Sequence, residues 1–134
     1  MEIDAIISII DAQHKDANEA LEAKDVKRYM KHFDENLKYI KADAVGLNKN
    51  QLAIELEKYF KGVKEYRTSQ YRVKSSFENG VFTEKIARKS IIIKPTLILF
   101  SKKQTIQTEE IYRWESSTGE WKIVEVEVVL EEKY

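Results

Sequence analysis

The chain has 134 residues, of which 43% are hydrophobic and 34% are charged, with 23 basic residues balanced by 23 acidic ones. We expect one domain over residues 1–134, because this length is typical of a single core. The formal charge of zero lacks the basic excess of nucleic-acid-binding proteins. The absence of cysteine excludes disulfides, thiolate nucleophiles and zinc–thiolate sites. Two histidines cannot form a three-histidine metal site, so we expect neither a metal nor a cofactor.

The beginning of the chain predicts its cellular location. Residues 1–11 are apolar but contain Glu2 and Asp4, and they lack the basic start of a signal peptide. No apolar run approaches the ~18 residues that a membrane span needs. We therefore expect a cytoplasmic protein with no membrane partner.

The first half of the chain predicts three helices. Asp25 is placed to cap a short second helix whose inner face is Val26 to Phe33, and residues 34–36 are expected to end it. Asn48 and Gln51 form a capping-box pattern at the start of the third helix, which Gly62 should end. The spacing of three and four that predicts the first helix links Ile3, Ile7, Ile10, His14, Ala17 and Leu21.

The second half predicts strands, because the apolar period changes to two after Glu65. Asn79-Gly80 is a hairpin turn, and Pro95 belongs at a bend or an edge. Lys102-Lys103 and residues 116–119 are expected to be turns. The predicted strands are 37–40, 66–77, 81–93, 97–100, 105–114 and 121–130.

These elements predict an α+β fold in which three N-terminal helices pack on a strongly curved antiparallel sheet. The predicted order is α-α-β-α-β-β-β-β(-β). Strands of about 10 to 13 residues exceed the usual five or six. Long strands twist and curl, and a curled sheet closed by helices leaves a concave hollow suited to a small molecule.

The end of the chain carries a more specific pattern. Tyr112-Arg113-Trp114 is followed by a short turn and then by Gly119-Glu120-Trp121-Lys122-Ile123-Val124. This pair of strands, together with the helix that begins at Asn48, resembles the nuclear transport factor 2-like superfamily, the cystatin-like cone fold. The resemblance covers nearly the whole chain and implies a cone with a pocket at its open end. It also implies activities as different as isomerases, cyclases, dehydratases, transport factors and assembly domains, so it specifies no single one.

His14 is the first candidate site residue, because it interrupts the apolar stripe of the first helix. It could be a general base or a ligand hydrogen-bond donor. The alternative is a histidine at the edge of the core that is bonded to a carbonyl or a water. His32 lies beside the stripe of the second helix, and we expect it at the surface.

Glu110 is the second candidate. Alternation places it on one face of its strand with Tyr112 and Trp114, and burial there would suit it to acid–base work. The alternatives are that the opposite face of residues 105–114 points inward, since one bulge reverses the alternation, or that a cross-strand cation pairs with Glu110.

Aromatic side chains complete the predicted ligand-binding set. Tyrosine hydroxyls can donate to a ligand oxygen, although aromatic residues at these spacings also form ordinary cores. The full set of predicted ligand-binding residues is His14, Tyr29, Tyr59, Tyr71, Glu110, Tyr112 and Trp114, and the catalytic candidates are His14 and Glu110.

The last strand has partly apolar residues on both faces, as do residues 91–93 and 97–100. A sheet with helices on one side should have a polar outer face. We therefore expect a homodimer formed through the sheet face, although the chain's own loops could cover these residues instead.

Three functional hypotheses follow. The leading one is a domain that binds a small apolar molecule in an apolar and aromatic pocket. The second is a cofactor-independent isomerase, cyclase or dehydratase that acts on an apolar carbonyl compound. The third is a dimeric protein-assembly module that works through the sheet face.

Overall fold

A computed structural model of the chain describes residues 2–96 and 100–134. The helices precede most of the sheet, which confirms the α+β class. None of the helices in the described part of the chain is long and apolar enough to cross a membrane. In chain order the elements are α1 (Glu2–Glu22), α2 (Val26–Met30), β1 (Phe33–Ile40), β2 (Gly46–Leu47), α3 (Lys49–Lys61), β3 (Glu65–Glu78), β4 (Val81–Pro95), β5 (Ser101–Ser117) and β6 (Glu120–Lys133).

The six strands form one sheet in the order β2-β1-β6-β5-β4-β3. Strands β3, β4, β5 and β6 pair antiparallel with one another, as expected. Strand β1 pairs parallel with β6, so the sheet is mixed and differs in this respect from the antiparallel prediction. Parallel pairing requires a long crossover connection, which α3 and the three strands after it supply here.

The helix boundaries follow from local capping. The Asp25 carboxylate accepts a hydrogen bond from the Arg28 amide at 3.1 Å, so the predicted cap of α2 is confirmed. Asn48 and Gln51 satisfy each other's backbone amides at 2.8 and 2.9 Å, which confirms the capping box of α3. Gly62 is the C-cap of α3.

Two predicted boundaries are wrong. Helix α2 ends at Met30, and Phe33 and residues 34–36 belong to β1 because the start of β6 bonds to this stretch. The Ile123 amide donates to the His32 carbonyl at 2.9 Å. Lys102 and Lys103 lie inside β5, which pairs with β4 as far as Ser101 opposite Pro95. Residues 97–99 of the predicted strand 97–100 lie outside the described residues.

The core lies between the helices and one face of the sheet, here called the inner face. Alternation along β4 places Phe82, Ile86 and Ile92 on this face, each at most 1% exposed. The β3–β4 hairpin turns at Asn79 and Gly80, whose φ angles of 52° and 79° suit the two-residue turn that the sequence predicts. Register shifts between Arg72 and Lys74, and at two places between β5 and β6, bend the long strands.

The opposite face of the sheet, here called the outer face, carries exposed apolar side chains. Tyr71 is 69% exposed and Val73 is 51% exposed on β3, while Val129 and Leu130 are 43% and 42% exposed on β6. Because α1, α2 and α3 all pack on the inner side, no described helix covers this face.

Candidate functional site

A hollow of about 940 Å³ opens between α3, the segment after β1 and the inner face of β4, β5 and β6. This volume lies within the range of about 300–1,000 Å³ typical of small-molecule sites. Its interior is lined by Tyr39, Leu52, Leu56, Tyr59, Tyr66, Arg88, Ser90, Ile92, Ile106, Thr108, Glu110 and Val128, and its rim by Lys41, Ala42, Asp43, Glu55, Lys58, Glu131 and Lys133.

Arg88 is a buried cation at the wall of this hollow, and it is only 9% exposed. A guanidinium has five N–H donors, and each of them has a protein acceptor here. Burial by itself would lower the pKa of Arg88, but the charge of Glu110 together with the neighbouring tyrosines raises it well above its usual value. The five acceptors are Glu110 Oε1 at 3.3 Å, Asn18 Oδ1 at 2.9 Å, Thr68 Oγ1 at 2.9 Å, Gln70 Oε1 at 2.7 Å and Tyr112 Oη at 3.4 Å.

Glu110 faces Arg88 across the inner face and is 7% exposed. Its Oε1 atom accepts from the Tyr112 hydroxyl at 2.6 Å, and its Oε2 atom accepts from the Thr108 hydroxyl at 2.7 Å. Burial, reinforced by the Glu110 charge, raises the pKa of Tyr112 well above 10. Tyr112 therefore remains a neutral donor to the Glu110 carboxylate.

Three tyrosines line the hollow, and their hydroxyls differ in their hydrogen bonds. The Tyr66 hydroxyl bonds to Ser90 at 3.0 Å, so it already has a partner. The Tyr59 hydroxyl is buried and has no hydrogen-bond partner among the described residues, which costs about 1–3 kcal/mol. Burial, followed by the negative charge of Glu110, raises the pKa of Tyr39 well above 10. Burial also raises the pKa of Tyr59 to about 12.

His14 belongs to a second buried cluster on the same inner face. Its Nε2 atom lies 2.6 Å from Glu84 Oε2, and the Trp114 indole N–H donates to the same oxygen at 2.7 Å. Arg72 donates to the other Glu84 oxygen at 2.8 Å and links the cluster to Asp11 at 2.6 Å. Burial raises the pKa of Glu84, but the hydrogen bond and charge of His14, with the hydrogen bonds from Arg72 and Trp114, lower it below 4.5 overall.

The His14 ring is enclosed by aromatic edges. Its centroid lies 5.4 Å from that of Tyr112 and 5.3 Å from that of Trp114, and both pairs are T-shaped. Tyr112 also bonds Glu110, so one tyrosine lies between the two carboxylate clusters. His14 is 6% exposed and is not among the residues that line the hollow.

The structure places the predicted ligand-binding residues in four different positions. Tyr59 and Glu110 line the hollow, whereas His14, Tyr112 and Trp114 lie in the buried layer behind it. Tyr29 packs edge-on against Phe33 at 5.0 Å. Tyr71 lies on the outer face, away from the hollow, because its neighbours Gln70 and Arg72 point inward to Arg88 and Glu84.

His32 contradicts its predicted surface position, since it is only 9% exposed. Its Nδ1 atom lies 2.8 Å from Gln13 Oε1 and its Nε2 atom lies 2.7 Å from Asp16 Oδ2. Burial lowers the pKa of His32, and the Asp16 carboxylate opposes that shift. The residue is buried because α1 packs over the turn that follows α2.

Sequence reasoning missed Glu84, Arg88 and Tyr39. The signal for the first two was present, because alternation along β4 places them on the same face as Phe82 and Ile86. A charged residue on an otherwise apolar strand face indicates a buried, paired charge. Tyr39 lies in the short strand that the sequence predicts, but its position beside the hollow depends on the parallel pairing with β6.

The described residues contain no group of three histidine, aspartate or glutamate side chains that could hold a metal ion. The interior of the hollow offers tyrosine hydroxyls, the Glu110 carboxylate and apolar surface, and its rim adds three lysines and three carboxylates.

No protein-family profile matches the sequence, and no curated protein is similar to it at the sequence level. Solved structures share its fold at low sequence identity. A nuclear transport factor 2-like superfamily protein from Salmonella enterica has a TM-score of 0.79 at 10% identity and covers 94% of this chain and 91% of its own. A putative scytalone dehydratase from Novosphingobium aromaticivorans has a TM-score of 0.83 at 12% identity and covers 97% and 88%.

A type 2 hexachlorocyclohexane dehydrochlorinase has a TM-score of 0.72 at 11% identity and covers 100% of this chain and 93% of its own. These similarities confirm the nuclear transport factor 2-like, cystatin-like fold that the sequence resembles.

Proposed function

We propose that this chain, which has the nuclear transport factor 2-like fold, binds a small and mostly apolar molecule in the hollow beside α3. The observation that carries the proposal is the hollow of about 940 Å³, whose interior combines apolar side chains with a few polar ones. Most ligand sites have this composition, because apolar surface supplies affinity and a few polar groups supply orientation.

The first test is binding of Nile red, a neutral dye that fluoresces in apolar surroundings. We expect saturable binding with one dye per hollow. Leu56→Trp on α3 and Ile106→Trp on β5 add bulk to opposite walls and should each weaken binding at least tenfold. Ile54→Trp is the matched control, because Ile54 is 47% exposed on the same helix and does not line the hollow.

Dye binding that none of the wall variants changes would contradict the proposal. A crystal structure of protein purified directly from cells would complement it, since density inside the hollow would identify the class of natural ligand.

An isomerase, cyclase or dehydratase activity is the second candidate. It is favoured by the two buried carboxylates on the inner face and by the scytalone dehydratase name of one structural neighbour. Glu110 is the candidate proton carrier because it lines the hollow, whereas His14 would act only through Tyr112. Turnover of an apolar carbonyl compound that Glu110→Gln leaves unchanged would overturn this role.

We also propose a homodimer in which a second copy covers the outer face. Tyr71, Val73, Val129 and Leu130 are exposed there, and a groove of about 410 Å³ passes between Tyr71 and Leu130. The zero net charge offers little repulsion between two copies. Light scattering should give twice the chain mass, and Leu130→Arg should shift it to the monomer mass.

The protein-assembly hypothesis uses the same face with a different occupant. One structural neighbour is a putative calcium/calmodulin-dependent protein kinase type II association domain from Thiobacillus denitrificans, with a TM-score of 0.64 at 15% identity. A mass larger than a dimer would favour assembly over the closed dimer.

A further inference from the structure

A buried arginine in a pocket usually suggests an anionic ligand, since its N–H groups match carboxylates and phosphates. The N–H groups of Arg88 are not free to bind a ligand anion. All five of its N–H donors are directed at protein oxygens, two of them on β3 side chains and one on α1. A ligand anion would have to displace one of these contacts.

The charge of Arg88 is also cancelled locally by Glu110, which lies beside it on the same wall. At this wall an anionic ligand would therefore meet a carboxylate and no unused guanidinium donor. On the rim, the three lysines are matched in number by three carboxylates, Asp43, Glu55 and Glu131. Three of the roughly four acceptor positions of a carboxylate are filled on Glu110, by Arg88, Thr108 and Tyr112. The remaining position can accept a hydrogen bond from a ligand hydroxyl.

Among the residues that line the interior of the hollow, as distinct from its lysine-bearing rim, the hydroxyl donors that remain unused belong to two tyrosines. The Tyr39 hydroxyl has no hydrogen bond to a described residue, and the Tyr59 hydroxyl is buried without a partner in the described part of the chain. Both stay protonated at neutral pH, because burial raises the pKa of each. Both can therefore donate a hydrogen bond to an oxygen of a ligand. The buried Tyr59 hydroxyl can do so after its side chain rotates towards the hollow.

From these observations we propose that the hollow selects a neutral, largely apolar compound with a ketone or hydroxyl oxygen, and rejects carboxylates and phosphates of the same size. Tyr39 supplies the principal hydrogen bond to that oxygen, and Glu110 accepts from it when it is a hydroxyl. This inference rests on the proposed function, and it adds the charge and the polar group of the ligand.

The test compares three probes of similar shape that displace Nile red: 2-acetylnaphthalene, 2-isopropylnaphthalene and 2-naphthoate. We expect the ketone to bind several-fold more tightly than the hydrocarbon, and at least tenfold more tightly than the carboxylate at pH 7. Tyr39→Phe should weaken ketone binding three- to tenfold and leave the hydrocarbon unchanged. Tyr59→Phe should act in the same direction and is a second, independent variant.

Tyr71→Phe is the matched control, because it removes a tyrosine hydroxyl from the exposed outer face. Tighter binding of 2-naphthoate than of the ketone would overturn the inference, as would equal loss of ketone and hydrocarbon binding in Tyr39→Phe. In both cases Nile red binding would still support the proposed function. If neither Nile red nor any naphthalene binds, the proposed function fails and the inference fails with it.

Discussion

The Nε2 atom of His14 on α1 lies 2.6 Å from the Oε2 atom of Glu84 on β4, although the two residues are 70 positions apart in the chain. Glu84 is 1% exposed and also accepts hydrogen bonds from Arg72 and Trp114. The Glu84 carboxylate therefore connects α1, the β3–β4 hairpin and β5. We expect its removal to destabilise the fold.

Removing this carboxylate should destabilise the fold strongly. Glu84→Ala leaves the Arg72 guanidinium and the buried Trp114 N–H without their acceptor, and breaking a buried pair in this way costs about 3–5 kcal/mol. Glu84→Gln keeps the shape and one acceptor oxygen, so we expect a smaller loss of about 1–3 kcal/mol. Urea unfolding measures both values.

The control for this series is Glu78→Gln at the exposed end of β3, which should change the free energy of unfolding by less than about 0.5 kcal/mol. Equal effects of Glu84→Ala and Glu78→Gln would show that the Glu84 cluster does not stabilise the fold.

The same carboxylate predicts an acid-sensitive stability. The pKa of Glu84 lies below 4.5 in the folded chain, because its hydrogen bonds and nearby positive charge outweigh the effect of burial. A lowered folded pKa contributes stability that is present above the unfolded pKa and is lost as the pH falls through the folded value. The free energy of unfolding should therefore decrease as the pH is lowered from 5 towards 2.

Glu84→Gln cannot titrate at this position, so its free energy of unfolding should depend less steeply on pH over the same window. Urea midpoints measured at half-unit pH intervals for both proteins test this. Parallel curves for the two proteins would mean that Glu84 does not contribute to the acid sensitivity.

The Arg88–Glu110 pair should behave as one unit. Arg88→Met leaves Glu110 as a buried and uncompensated carboxylate, and we expect it to lower the free energy of unfolding by about 3–5 kcal/mol. Adding Glu110→Gln removes that charge and should recover part of the loss. A double-mutant cycle measures the coupling, and an additive result would contradict the pairing.

Capping gives a milder and independent prediction. Asn48→Ala removes the side-chain acceptor of the Gln51 amide, and loss of such a cap costs about 1 kcal/mol. Asn50→Ala, one residue into the first turn of α3, should be neutral or slightly stabilising because alanine favours helix interiors. If the midpoint temperature of thermal unfolding is lower for Asn50→Ala than for Asn48→Ala, the role of the cap is contradicted.

The order of the main elements could be read from the sequence because their signals are local. The caps at Asp25 and Asn48 and the turn at Asn79-Gly80 act within a few residues, so no distant contact was needed to predict them. The alternation of residues along β4 also indicated that Glu84 and Arg88 are buried, because it places them on the same face as apolar residues.

Other features depended on contacts between distant segments. The alternation along β5 left two faces possible, and packing against α1 and the core placed Glu110 on the inner one. Tyr71 lies before the register shift between Arg72 and Lys74, and Phe77 lies after it, so the two point to opposite faces despite an even spacing of six residues. A strand period of two cannot reveal where such a shift occurs.

The sequence by itself determined the α+β class, the helix caps, the hairpin turn and the resemblance to a cone fold, since each depends on neighbouring residues or on a short motif. Only the tertiary structure decided that His14 pairs with Glu84, that Tyr39 lies beside the hollow and that the N–H groups of Arg88 are all used. Each of these depends on which strands pair and in what register, and that pairing joins residues far apart in the chain.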